Sequence, residues 1–161
     1  MCLIVAAWLR RQVAVDFVSW EMQWNGGYVD AIGFTSFRSK EKPRIIAVEV
    51  KKARGDLLAD INSGKYRKYE YGTTHCYLAA TPAALGIKKK ADVHRSLADL
   101  KRRGFPEYWG VLLLPYAGNG KPKLLRAARS RGTVILLDLQ NLAASALQAL
   151  ANKGLRKVDL D

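Results

Sequence analysis

Only two cysteines, two histidines and fourteen acidic residues occur among the 161 residues of the chain, and each shortage narrows what it can be. Cys2 and Cys76 give neither a disulfide framework nor a Cys-x-x-Cys metal knuckle, which fits a reducing, cytoplasmic setting. His75 and His94 have no third ligand near them in sequence, so both read as structural. No apolar run is long enough to cross a bilayer: the best, Thr133 to Ala151, is interrupted by Asp138, Gln140, Asn141 and Gln148. The run Cys2 to Trp8 is too short for a span, and Arg10-Arg11 follow it instead of preceding it, the reverse of a secretory leader. No membrane partner is expected. Repeats and low-complexity linkers are missing as well, so residues 1–161 read as a single domain.

Basic charge is what the chain has in excess. Lys and Arg number 27, giving a formal net charge of +13. A surface this basic attracts polyanions, nucleic acid foremost. The excess is concentrated: residues 38–68 carry ten basic and four acidic side chains, and residues 86–131 carry twelve and three. Between and around these blocks the chain is nearly neutral.

Apolar periodicity predicts a helix over Leu3 to Val18 and a strand over Trp20 to Trp24, where large apolar and polar residues alternate. Asn25-Gly26-Gly27 is a hairpin signal, because these residues tolerate the positive φ of primed turns; Tyr28 to Phe37 is the returning strand. Ile45 to Val50 is a β-branched run suited to a sheet centre buried on both faces. A helix from Gly55 to about Gly72, broken at Ser63-Gly64, precedes a strand over His75 to Ala80 that Pro82 stops. Ala91 to Arg103 reads as a helix, Tyr108 to Leu114 as a strand, and Val134 to Lys153 as a long helix that could begin as a strand. This order predicts an α/β fold with a mixed central β-sheet flanked by helices.

Glu21, Asp30, Glu49 and Lys51 are the residues that can carry chemistry. Glu49 and Lys51 are two apart on one strand, so both leave the same face. A charge ending an apolar run is costly unless it is paired or bound to a metal. If Asn25-Gly26 form a two-residue loop, Glu21 lies directly opposite Asp30; a Gly26-Gly27 loop leaves both on one face, and a three-residue loop separates them. Facing carboxylates repel unless a cation sits between them, and hard ions such as Mg²⁺ or Mn²⁺ suit oxygen ligands. Such a cluster serves phosphodiester hydrolysis, with the lysine stabilising charge on the phosphorus centre. Lys52, Arg54, Lys65 and Lys68 follow directly and can grip flanking phosphates, or else form a solvated helix face. Tyr66 and Tyr69 read as core by helical spacing, while Tyr71 can stack a base. The stretch Leu114 to Lys121 lacks phosphate-binding-loop spacing, and Pro122 stands where a Ser or Thr is needed, which excludes an NTPase.

These residues resemble the PD-(D/E)xK nuclease signature: Val29-Asp30, eighteen intervening residues, then Glu49-Val50-Lys51, with Val in place of the Pro. The run from Glu49 through Arg54, Asp56 and Asp60 to Lys65-Tyr66-Arg67-Lys68-Tyr69 is similar to MmcB-like repair nucleases and related phage proteins. The resemblance covers about residues 18–82 and implies a restriction-endonuclease-like core. It further implies Asp30, Glu49 and the Val50 carbonyl as Mg²⁺ ligands (Mn²⁺ substituting), Lys51 as the catalytic lysine, and Glu21 as the early acidic residue, with Asp16 its competitor. Small size and basicity also resemble Hjc-type Holliday junction resolvases. That implies a metal-dependent DNA endonuclease acting on branched DNA in the cytoplasm of a bacterial or phage-infected cell, as a homodimer, since two strands must be cut symmetrically. The alternatives are a repair or restriction-like nuclease on linear or damaged DNA, and a non-catalytic DNA-binding module of the same fold.

Overall fold

The computed structural model describes residues 1–24, 27–35, 43–115 and 120–131, together with Gln140 and Ala144. Apart from Gln140 and Ala144, both helical, the helix expected over 134–153 lies outside the described residues, as does most of the connection expected over 38–44.

In chain order the elements are α1 (Cys2–Gln12), β1 (Phe17–Trp24), β2 (Gly27–Thr35), β3 (Arg44–Lys51), α2 (Arg54–Ser63), a 3₁₀ segment (Lys65–Glu70) and β4 (His75–Ala80). Then come α3 (Pro82–Leu85), α4 (Asp92–Arg102), β5 (Gly110–Leu113) and β6 (Lys123–Arg126). The six strands form one sheet in sequential order. β3 pairs with β4 and β4 with β5 in parallel, and the remaining pairs are antiparallel. The fold is therefore α/β with a mixed sheet flanked by helices.

β3 is central and buried on both faces, as its β-branched run predicts. Ile45 and Ala47 pack toward the side of α2, the 3₁₀ segment and α4; Ile46 and Val48 pack toward α1. α2 ends at Gly64, whose φ of 66° relieves the helix and lets the chain restart as a 3₁₀ turn. Tyr66 and Tyr69 are buried there, and Tyr71 is exposed.

Three sequence expectations need correction. α1 stops at Gln12 instead of reaching Val18, because Ala14 takes a φ of 53° and the Asp16 N–H donates to the Phe34 carbonyl (2.9 Å), committing Phe17 to the sheet. Val15 still buries beside α1, which is why its spacing looks helical. Pro82 does not merely stop β4; it opens α3, capped by Thr81, whose Oγ1 accepts from the Ala84 N–H. β6 has no apolar alternation to announce it, and pairing with β5 defines it, helped by Arg126 donating to the carbonyls of Trp109 and Pro106 (both 2.9 Å).

Candidate active site

The pairing Trp24↔Gly27 leaves two residues for the hairpin connection, so the two-residue register holds. Trp20↔Ala31 and Met22↔Val29 bracket Glu21 and Asp30, which therefore stand opposite each other. On the other side, Ala31↔Val48 is the first pair between β2 and β3, and one step further the same register puts Asp30 level with Glu49. Three carboxylates thus lie at one level across three adjacent strands.

Both hairpin strands turn over at that level. Residues two apart normally share a face. Yet Val18 and Trp20 belong to the α1 side while Met22 and Trp24 belong to the opposite side, and Ala31 and Val29 split the same way. Glu21 makes the turn, with a φ of 51° that a side chain rarely adopts. Asp30 makes it by replacing a backbone partner: its Oδ2 accepts the Val50 N–H at 2.7 Å. In a strand the N–H and C=O of one residue point to the same side, so the Val50 carbonyl also faces β2. Unusual backbone of this kind concentrates at functional sites.

Glu21, Asp30, Val50, Lys51, Lys52 and Lys65 line a single cavity of about 430 Å³, shared with Cys2, Asp56, Ala59 and Asp60. Glu49 is not among its lining side chains; it is buried, with 6% of its surface exposed. Its Oε1 accepts from Lys51 Nζ at 2.8 Å, and its Oε2 is buried with no hydrogen-bond partner. Burial, and then the neighbouring Asp30 charge, raise the Glu49 carboxyl above its ordinary range despite the lysine. Lys51 is clamped from two sides, its Nζ also standing 2.6 Å from Asp60 Oδ2. Burial disfavours the ammonium, but hydrogen bonding to Asp60 and Glu49 outweighs it, and the lysine pKa is raised. The end of β3 is fixed by Thr81, whose N–H donates to the Lys51 carbonyl (3.0 Å) and whose Oγ1 donates to the Lys52 carbonyl (2.7 Å). Burial, and then the Glu49 charge, push the Tyr69 phenol up; it donates to the Tyr28 carbonyl at 3.1 Å.

Other expected site residues are dispersed. Asp16 lines a different cavity with Trp8, Thr35 and Arg44, whereas Glu21 shares the cavity of Asp30. Arg54 is absent from the acidic cavity: its guanidinium reaches the other way to Asp99 (2.7 Å) and the Ala84 carbonyl, in a second cavity. Lys68 is also outside, packed over the Tyr69 ring at 4.8 Å and against Gly27. Asp56 and Asp60 were missed as site residues. Their signal was present: four apart on a helix beginning three residues after Lys51, they present one face toward the strand ends.

The oxygen donors here are of the type a hard divalent cation takes: the buried Glu49 Oε2, the Asp30 carboxylate level with it and a backbone carbonyl facing the same side of β3. Among the described residues, however, no group of three or more His, Cys, Asp or Glu side chains is placed to hold a metal ion. No helix among them is long and apolar enough to cross a membrane.

No protein-family model matches the chain, and no curated protein is similar to it. Among solved structures it is similar to SPO1766, a protein of unknown function from Silicibacter pomeroyi, with 20% identity and a TM-score of 0.57 over 96% of this chain and 91% of that one. The likeness shows a shared fold.

Proposed function

We propose that the chain is a Mg²⁺-dependent endonuclease of PD-(D/E)xK type with a restriction-endonuclease-like core, cutting DNA at branched structures such as four-way junctions. The observation that carries this reading is the alignment of Glu21, Asp30 and Glu49 across three strands, beside Lys51, which pairs with Glu49 and lines the cavity shared by Glu21 and Asp30. Asp30, Glu49 and the Val50 carbonyl would hold the metal, and Glu21 would reach it from the facing strand. When bound, the ion supplies Lewis acidity toward a phosphate oxygen and a water made acidic enough to attack at neutral pH. The protein's own part is electrostatic. Asp60 and Glu49 keep the Lys51 ammonium protonated and aimed, so a fixed positive charge stands where charge develops on the phosphate. Lys52, exposed at the cavity mouth, and Lys65 contact neighbouring phosphates. A symmetric cut at a junction calls for a homodimer, with Mn²⁺ able to substitute for Mg²⁺.

Synthetic four-way, flap and linear duplexes incubated with the purified protein in Mg²⁺ test the reading. Cleavage of the four-way substrate should stop with EDTA and in Asp30→Asn and Glu49→Gln. Mg²⁺ should raise the unfolding temperature of the wild type and not of Asp30→Asn, because a ligand of the native state stabilises it by mass action. If both variants cut at the wild-type rate, the reading is wrong; cleavage of linear duplex alone would make it a restriction-like or repair nuclease.

A second reading, a DNA-binding module without catalysis, is favoured by one observation. Asp30 Oδ2 and Glu49 Oε1 are already engaged by Val50 and Lys51, and among the described residues no group of three or more His, Cys, Asp or Glu is placed to hold a metal ion. Its mark is metal-independent DNA binding with no cleavage of any substrate.

A further inference from the structure

The second cavity, about 660 Å³, lies between the start of α2, the turn after α3 and the exposed face of α4. Arg54, Lys88, Arg95 and Arg102 line it, with Ser96 and Asp99. Asp99 is its organiser: it pairs with Arg54 (2.7 Å), Arg102 (2.6 Å) and Arg103 (3.0 Å). Hydrogen bonds from Arg103 and Arg102, and then Arg54, hold the Asp99 carboxyl far below the usual range, so it stays an anion that orients three guanidiniums. One carboxylate accepts only a few of their donors, and the remaining N–H groups face the cavity and solvent. Arg54 is further fixed by its approach to Gly86, where a Cβ would stand 2.9 Å from Nη1. Lys88 and Arg95 are exposed and make no direct ion pair among the described residues; Asp92, which also lines the cleft, accepts the backbone N–H groups of Lys88 and Lys89 (both 2.9 Å) and only partly offsets the charge of Arg95. The two cavities adjoin through the start of α2: Lys52 lines the acidic one and Arg54, two residues on, lines this one.

We infer that this cleft is a second phosphate-binding site, which holds the nucleic-acid backbone beside the scissile phosphate through Arg54, Lys88, Arg95 and Arg102. The inference rests on the nuclease reading only for the identity of the polyanion. It assigns the strand's path to the α2–α4 side of the sheet and away from α1, which carries its own exposed pair, Arg10 and Arg11. Guanidiniums preoriented in a plane favour phosphate oxygens, which accept two parallel N–H bonds.

The test compares two double variants of equal charge change, Lys88→Glu/Arg95→Glu in the cleft and Arg10→Glu/Arg11→Glu on α1. Binding to a fluorescent four-way junction is measured in EDTA over a series of salt concentrations. None of the four side chains makes a direct ion pair among the described residues, and circular dichroism checks that each variant is folded. The cleft variant should bind about tenfold or more weakly than wild type at about 0.1 M salt, with a salt slope reduced by about two, one for each lost phosphate contact. The α1 variant should stay within about threefold, with an unchanged slope. Equal losses in both variants, or a larger loss on α1, would overturn the cleft. Because binding is read without metal, the outcome is separate from catalysis. Loss of affinity in the cleft variant stands even if no substrate is ever cut, and cleavage abolished in Asp30→Asn does not rescue a cleft variant that binds normally.

Discussion

The two cavities are built on inverse charge arrangements. In the first a cation, Lys51, stands between two carboxylates; in the second a carboxylate, Asp99, stands among three guanidiniums. The distances are alike, from 2.6 to 3.0 Å, and the surroundings are not. Lys51, Glu49 and Asp60 expose 11%, 8% and 13% of their side chains, whereas Arg102 exposes 79% and Arg54 and Arg103 each 38%. Burial decides what a pair is worth. A charge removed from a buried group leaves its partners uncompensated in a poor solvent, while a charge removed from an exposed group leaves partners that water solvates. The first arrangement is therefore rigid and expensive to disturb, suited to holding one atom in one place. The second is tolerant and suited to gripping a repeating polyanion.

The largest expected effect comes from breaking the first arrangement at its centre. Lys51→Ala leaves the buried Glu49 without a cation and Asp60 with only the exposed Lys65 at 3.8 Å, and should cost about 3–5 kcal/mol in a denaturant titration. On the proposed nuclease reading, cleavage should fall by about 10²–10³-fold or more, since a fixed charge aimed at the developing anion is lost. Asp60→Asn should cost less on both counts, because Glu49 still holds the ammonium. An Asp60→Asn variant as slow as Lys51→Ala would mean, on that reading, that Asp60 itself acts on substrate.

A smaller effect tests the electrostatics of Glu49 with metal chelated. Its folded pKa is raised, so its contribution to stability is fullest below the ordinary glutamate range and is lost as pH rises through the raised value. Glu49→Gln removes that dependence. In EDTA, the wild type should lose stability relative to the variant as pH climbs from about 4 toward neutrality, the ordinary glutamate pKa being about 4.3. Thermal unfolding across that range measures the difference. A wild type that instead gains on the variant over this interval would show that Lys51, not burial, dominates the carboxyl.

Much of this architecture was legible in the sequence because it rests on local signals. The β-branched run of β3, the length of the hairpin connection and the break at Gly64 each act through the residues themselves. So does the register that sets Glu21 against Asp30, which follows from turn length alone. What escaped depends on partners distant in sequence. β6 exists because β5 offers an edge, and α1 ends early because Phe34 claims the Asp16 N–H. Arg54 was expected at the acidic site because it is three residues from Lys51; the helix beginning there turns it toward α4, where Asp99 waits 45 positions away. Asp60 was visible in the motif, but its pairing with Lys51 depends on how α2 packs against the strand end.

The smallest expected effect probes the second arrangement at its centre and sharpens the contrast with Lys51. Asp99→Asn removes one charge from a network whose cations face water, so the cost in denaturant should stay at or below about 1 kcal/mol at moderate salt. The sign of its pH dependence is opposite to that of Glu49. A depressed carboxyl contributes its full stability above its unfolded pKa and loses it progressively as pH falls from there through the folded value, so the difference between wild type and variant should be constant from neutrality to about pH 5, shrink below that, and vanish only in strong acid. Junction binding adds a second readout. With its local anion gone, the cleft gains net positive charge but loses the part that orients Arg54, Arg102 and Arg103. Affinity unchanged or raised would show that charge alone holds the backbone there; affinity lowered despite the added positive charge would show that the cleft works through the fixed geometry of its guanidiniums.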